Sequence, residues 1–394
     1  MTAAGNGNLP PITCDIFCTV VDNYGDVGVC WRLARQLVRE HGMSVQLWVD
    51  DLASLKRLSP EVDARLVQQQ CFGVEICLWT PLFPEVEPAQ LVIESFACEL
   101  PERYVLAMAG QKQPPVWINL EYLSAEDWVE ECHKLPSPHP RLPLVKYFFF
   151  PGFTPQTGGL LLEHDLLERR GAFQNDQQVV AEYWQSLNIP APQSDELRVS
   201  LFCYENPVLP DLLRAWEQGT QRITCLVPEG RALPQVAAFF GAQQGKAGDA
   251  WQRGKLGVHA LPFVEQERYD ELLWACDINF VRGEDSFVRA QWAGRPFVWH
   301  IYPQHDGVHM QKLRAFMARH CDGLSQDAAQ ALHRLWESWN GGEGIAAAWN
   351  EFASHRSMLR QHSREWSQQL SGNNLALNLL DFFGEIGKMR DFEI

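Results

Sequence analysis

Ile12-Thr-Cys-Asp-Ile-Phe-Cys-Thr-Val-Val-Asp-Asn-Tyr-Gly-Asp-Val-Gly28 is the stretch from which the fold is read. The run Ile12–Val21 is mostly apolar, with β-branched and aromatic side chains, and predicts a buried strand. Gly25 and Gly28 permit a tight turn after it. A helical pattern then runs from about Val29 to Glu40. Strand, loop and helix together open an α/β unit. Short apolar runs recur at Val45–Val49, Val74–Trp79, Leu91–Ser95, Val116–Asn119 and Val145–Phe149, as expected of parallel strands covered on both faces.

Working outward, the pattern breaks between about Gly171 and Asp195, where a Gln-rich helix leads into Asn188-Ile-Pro-Ala-Pro-Gln-Ser, a linker-like segment. A second α/β series follows. Its candidate strands are Arg198–Tyr204, Ile223–Val227, Val258–Val264, Ile278–Val281 and Phe297–Ile301, with helical patterns at Gln266–Cys276 and Phe287–Ala293. After about Asp327 the chain reads as mostly helical. The expected fold class is therefore α/β, with two Rossmann-like domains facing each other across a cleft, about 1–180 and 190–364, and a C-terminal helix near 365–394 that packs back on the first.

Composition narrows the function. With 46% apolar and 21% charged residues the chain is globular. A net charge of −16 argues against tracking a nucleic-acid backbone, which requires clustered Lys and Arg. No run of 18 apolar residues is available to span a membrane. The eleven cysteines contain no Cys-x-x-Cys pair, so neither zinc spacing nor a disulfide framework is expected, and a reducing cytoplasm suits them. Most of the fifteen tryptophans are expected in the core.

Ligands of open α/β sheets collect at the carboxyl ends of strands, so the strand-end loops are the places to search. Asp22-Asn-Tyr-Gly-Asp-Val-Gly28 lacks the phosphate-cradling glycine patterns and places two carboxylates where those patterns avoid negative charge. One reading is structural: Asp22 caps a turn and Asp26 caps the following helix. The other is chemical, with one Asp as a general base, the other orienting a cationic acceptor, and Asn23, Tyr24 and Gly25 lining the acceptor side. The second loop, Arg282-Gly-Glu-Asp-Ser286, joins a strand to a helix and offers backbone N–H groups, a helix dipole and a guanidinium to a pyrophosphate. Its structural alternative is that Asp285 and Ser286 are helix caps and Arg282 pairs with Glu284. No Asp-x-Asp tripeptide occurs, so no metal is expected.

Asp15-Ile-Phe-Cys-Thr-Val-Val-Asp-Asn-Tyr-Gly-Asp-Val-Gly-Val-Cys-Trp-Arg-Leu-Ala-Arg35 and Asn279-Phe-Val-Arg-Gly-Glu-Asp-Ser-Phe-Val-Arg-Ala-Gln-Trp-Ala-Gly294 resemble the signatures of the EarP family, the bacterial arginine rhamnosyltransferases of elongation factor P. The resemblance runs from about residue 12 to the C-terminus. It implies a GT-B fold and an inverting, metal-independent transfer of rhamnose from TDP-β-L-rhamnose to an arginine of elongation factor P, the protein partner, which then relieves ribosomes stalled at polyproline. By motif, it implies Asp26 as general base and Asp22 as the carboxylate that positions the acceptor. It implies Phe202, Tyr204, Phe263, Val264 and Gln266 around the thymine, and Arg282, Glu284, Asp285 and Ser286 around the diphosphate and ribose. Two other readings stay open from the residues themselves: an enzyme of the same fold with another acceptor, and a non-catalytic partner of a translation factor.

Overall fold

The computed structural model describes residues 11–21, 24–304 and 307–392, with side chains through residue 389. Two sheets organise it. The first contains β1 (Thr13–Cys18), β2 (Ser44–Val49), β3 (Gln68–Cys71), β4 (Val74–Leu78), β5 (Leu91–Ser95), β6 (Val116–Leu120), β7 (Pro136–Pro138) and β8 (Val145–Phe149), in the order β3-β4-β2-β1-β5-β6-β8-β7. The second contains β9 (Glu196–Leu201), β10 (Arg222–Pro228), β11 (Ala250–Arg253), β12 (Leu256–Leu261), β13 (Ile278–Arg282) and β14 (Phe297–His300), in the order β11-β12-β10-β9-β13-β14.

The interior strands pair in parallel and are buried on both faces; β5 and β6 are buried at every residue. That is why they read as mostly apolar runs without strict alternation. The strands that sequence periodicity does not reveal are β3, β7 and β11. All three are antiparallel. Gln-Gln-Gln-Cys, Pro-Ser-Pro and Ala-Trp-Gln-Arg are polar and partly exposed, suited to sheet edges that must not recruit a neighbour.

Strand order places the two loops singled out above. In the first sheet β1 lies between β2 and β5, and in the second β9 lies between β10 and β13. Strand order reverses at these points while the strands stay parallel, so the loops after β1, β9 and β13 open onto a crevice.

The core follows the sheets. One apolar cluster gathers the second sheet with Leu160, Leu162, Leu166, Phe173 and Trp184, so the segment after residue 160 already packs with the second unit. Another lies on the first sheet and includes Leu375, Ala376, Leu379, Phe382 and Ile386 of the last helix, Leu375–Phe392. The two crossings of the chain between units run side by side: Leu160 donates to the Asn373 carbonyl at 3.2 Å and Leu375 to the Leu160 carbonyl at 2.9 Å. Gly159, at φ 78°, stands where any Cβ would strike the Asn373 backbone. Twelve of the fifteen tryptophans are buried. All eleven cysteines are free thiols. Among the described residues no helix is long and apolar enough to cross a membrane.

Candidate active site

The helix after β1 begins earlier than its apolar pattern suggests. It spans Gly25–His41, with Tyr24 at its N-cap position and no side-chain cap. Asp26 therefore lies inside the first turn and not at the cap position. Its Oδ2 accepts the Val21 N–H at 2.9 Å, and Tyr122 stands near enough that the Asp26 charge adds to burial in raising its phenol. Asp26 is buried, 3% exposed. A backbone donor from the segment before the helix thus helps to orient its carboxylate. Asp22 and Asn23 lie outside the described residues.

On the facing side, β13 ends in Arg282 and the helix Asp285–Ala293 follows. Glu284, and not Asp285 or Ser286, occupies the N-cap position, and no side chain caps the first turn. The Ser286 hydroxyl is engaged with the Arg282 backbone: it accepts the Arg282 N–H at 3.1 Å and donates to the Arg282 carbonyl. The Arg282 guanidinium lies between the rings of Phe202 and Tyr204, 4.6 Å from each. This sandwich holds a planar cation at the crevice, a role a lysine ammonium fills poorly.

A pocket lies between these elements. Phe202, Phe263, Val264, Gln266, Arg282 and Ser286 line it from the second unit, and Tyr24 and Gly25 from the first. The Tyr24 ring meets that of Phe263 with centroids 5.1 Å apart, and Arg57 covers the same phenyl ring at 5.3 Å. The Gln266 amide nitrogen donates to the Gly28 carbonyl and to Asp285, each at 3.0 Å, while its buried Oε1 has no partner among the described residues. An unmet buried acceptor is costly unless a ligand supplies a donor. Of the other residues singled out in the sequence, Asp285 also lines the pocket, Tyr204 backs Arg282, and Glu284 turns toward the first unit, where its Oε2 accepts the Leu123 N–H at 3.0 Å.

Just past β6, Leu123 binds Glu284, and Tyr122 lies near both carboxylates: burial first, then the charges of Asp26 and Glu284, push its phenol up. Burial pushes the Glu284 carboxyl up to about 7, Lys312 and the Leu123 N–H oppose that, and the charges of Asp26 and Asp285 add to it. Burial also lowers the Lys312 ammonium, opposed by Glu284, Glu126 and Glu121. Its nitrogen stands 5.8 Å from the Tyr122 ring. Sequence reasoning missed Tyr122 and Lys312. The strand-end rule points to Tyr122, which follows the strand predicted at Val116–Asn119, but no pattern marks Lys312. Arg32 was missed as well, although it lies within the quoted motif. It carries a guanidinium on a buried helix face and binds Glu163 and Asp285. Among the described residues no group of three or more His, Cys, Asp or Glu could hold a metal ion.

This arrangement sets a buried carboxylate on one side of the crevice and a stacked guanidinium beside a helix N-terminus on the other. Chemically, it can receive a cationic acceptor on the first side and an anionic leaving group on the second. Comparison with known proteins gives the family. A family model described as elongation-factor P (EF-P) rhamnosyltransferase EarP matches residues 14–384. A protein-arginine rhamnosyltransferase of Pseudomonas putida is 50% identical over 372 residues, covering 94% of this chain and 98% of the relative. A solved structure concerned with EarP-mediated arginine glycosylation of translation elongation factor EF-P superposes with a TM-score of 0.69 at 38% identity, covering 95% of this chain and 99% of that one. MurG of Acinetobacter baumannii, at 12% identity and a TM-score of 0.51 over 95% of this chain and 100% of that one, shares the fold alone. The architecture is the two-sheet GT-B fold, and the chain belongs to the EarP family of elongation-factor P rhamnosyltransferases.

Proposed function

We propose that this enzyme moves rhamnose from TDP-β-L-rhamnose to one arginine of elongation factor P with inversion, preparing that factor to relieve ribosomes stalled at polyproline. The observation that carries the reading is the placement of Asp26: a buried carboxylate oriented by the Val21 N–H, across the crevice from the Arg282 loop. The first unit receives the acceptor, and the second holds the nucleotide sugar.

Arginine is a poor nucleophile because its guanidinium is cationic and delocalised, with a pKa of roughly 12.5–13.8. An aspartate cannot deprotonate it in advance. Asp26, with Asp22 as its orienting neighbour, instead holds the guanidinium by charge-assisted bonds, aims one nitrogen at the anomeric carbon and takes the proton as the new C–N bond forms. Asn23, Tyr24 and Gly25 line that side. The bond to the diphosphate breaks on the opposite face of the sugar, where Arg282 and the N–H groups of the uncapped helix turn stabilise the departing charge. Phe202, Phe263 and Val264 supply apolar surface for the thymine, with Tyr204 behind Arg282, and the open Oε1 of Gln266 accepts an N–H of the base. Glu284, Asp285 and Ser286 complete the diphosphate and ribose side. Glu284 Oε2, both Asp285 oxygens and the Ser286 hydroxyl are already engaged within the protein, so direct contact there falls mainly on Arg282 and the helix amides. No bound cofactor or metal enters the scheme. A reducing cytoplasm accommodates the eleven free thiols.

The test is Asp26→Asn, assayed by mass spectrometry of elongation factor P after incubation with TDP-rhamnose. The expected result is TDP affinity near that of the wild type and turnover lower by at least about 10²-fold, the low end for a general base. Near-normal turnover would remove Asp26 from that role.

A further inference from the structure

The first helix is fastened to the second unit along one stripe. Gly28, Arg32 and Arg35 stand four and then three residues apart and so share a face. Gly28 accepts from Gln266, and Arg35 pairs with Glu267. Between them, the Arg32 guanidinium grips both oxygens of Glu163 at 2.8 and 2.7 Å, reaches Asp285 at 3.0 Å and donates to the Leu161 carbonyl at 3.4 Å. The other Asp285 oxygen is shared by Gln266 at 3.0 Å and Arg289 at 2.9 Å, and Arg289 turns on to Asp270 at 2.6 Å. Arg32, Arg289 and Asp270 are each 3% exposed, and Asp285 is 9%.

Such a network adds little stability, because desolvating the charges cancels most of their attraction. What a fixed guanidinium fork supplies is geometry. Asp26 lies six residues before Arg32 on the same helix, about 9 Å along its axis at the usual rise. Arg282 lies three residues before Asp285. Whatever sets the distance from Arg32 to Asp285 also sets the distance from Asp26 to Arg282.

We propose that Arg32 is a positioning residue for the transfer. By clasping Glu163 and Asp285 together it acts as a strut that fixes the helix carrying Asp26 against the loop carrying Arg282, and the Asp285 carboxylate serves this strut while its backbone stays on the donor side. The proposal rests on the functional reading above, in which the base and the leaving diphosphate must lie on opposite faces of one sugar. In-line displacement tolerates little error, and a misplacement of about 1 Å can cost roughly 10²-fold in rate.

Two variants of the full chain test it, Arg32→Met and Glu163→Gln. For each, TDP binding is measured by calorimetry, which also counts folded sites, and kcat and the donor KM are measured by mass spectrometry of elongation factor P. The expectation for Arg32→Met is TDP affinity within about threefold of wild type, donor KM little changed, and kcat per TDP-binding site lower by at least about tenfold. Glu163→Gln keeps the Arg32–Asp285 pair and loosens the grip from the other side, so it shows a smaller loss in kcat with binding intact. That second variant decides the matter if the first fails to fold. The strut is overturned if kcat per binding site stays within about twofold of wild type in the deciding variant, or if TDP affinity falls in step with kcat, which would place Arg32 and Asp285 in the donor site. A wild-type enzyme that moves no rhamnose onto elongation factor P would instead overturn the functional reading, leaving the binding measurements as they are.

Discussion

The two loops that meet in the crevice hold their carboxylates by opposite means. Asp26 is oriented from within its own unit, by the Val21 N–H. Glu284 and one oxygen of Asp285 are held from across the crevice, by Leu123 and Arg32. Arg282, in the same loop, is clamped locally between Phe202 and Tyr204. The acceptor side thus carries its own geometry, and the donor side borrows part of its geometry from the opposite unit. Damage within the acceptor loop should stay local, and disturbance of the contact between units should be felt at the donor loop.

The sharpest way to probe the locally built part is Arg282→Lys. The ammonium keeps the charge and loses the plane that fits between two rings, so TDP affinity should fall by about tenfold or more, equivalent to about 1.4 kcal/mol, with the fold intact by circular dichroism. Retained affinity would mean that charge alone suffices there. A smaller effect is expected at the borrowed contact. A Cβ added at Gly28 would stand 3.3 Å from the Gln266 amide nitrogen and 3.4 Å from the Asp285 Cβ, so the amide must give by a few tenths of an ångström. Alanine gains about 0.8–1.0 kcal/mol of helix propensity over glycine, so Gly28→Ala should hold or raise the melting temperature while lowering turnover by a few-fold. A lower melting temperature with unchanged turnover would break the comparison.

The smallest effect is a pH dependence. Glu284 is held up to about 7 against an ordinary 4.5. Between those values the folded protein keeps a proton that the unfolded chain has released. The stability linked to this group is therefore complete below pH about 4.5 and declines as pH rises through about 7. Glu284→Gln removes that decline. Its melting temperature should gain on the wild type by on the order of a few degrees as pH rises from about 5 to 8, read by scanning calorimetry at several pH values. A constant gap across that range would mean that Glu284 is already ionised in the folded protein.

Much of the fold was legible in the sequence. The interior strands are mostly apolar, and Leu91–Ser95 and Val145–Phe149 have the bounds that the sequence predicts. The edge strands were not legible, because a polar Gln-Gln-Gln-Cys gains its strand conformation only from its neighbour β4. The start of the first helix was misjudged by one turn, since Gly25, Asp26 and Gly28 are poor helix formers kept there by what packs around them. The chemistry of the site was legible where short motifs carry it, at Asp26 and Arg282. Its long-range parts were not: Tyr122, Arg32 and Lys312 meet the site only through folding, the first two across separations of 96 and 253 residues, from Asp26 and to Asp285.

The last helix has a consequence for how the chain is made. Leu375, Leu379, Phe382 and Ile386 bury large side chains against the first sheet, worth on the order of 6–12 kcal/mol at about 1.5–3 each, as much as the whole stability of an ordinary domain. A chain emerging from the ribosome thus presents its first sheet early and covers that face only after the second unit has been made. The second unit, complete in sequence before that helix exists, can fold ahead of the first, reversing the usual order of N-terminal before C-terminal folding during synthesis. The sheet that carries Asp26 therefore waits for its cover until the donor-side unit is already synthesised.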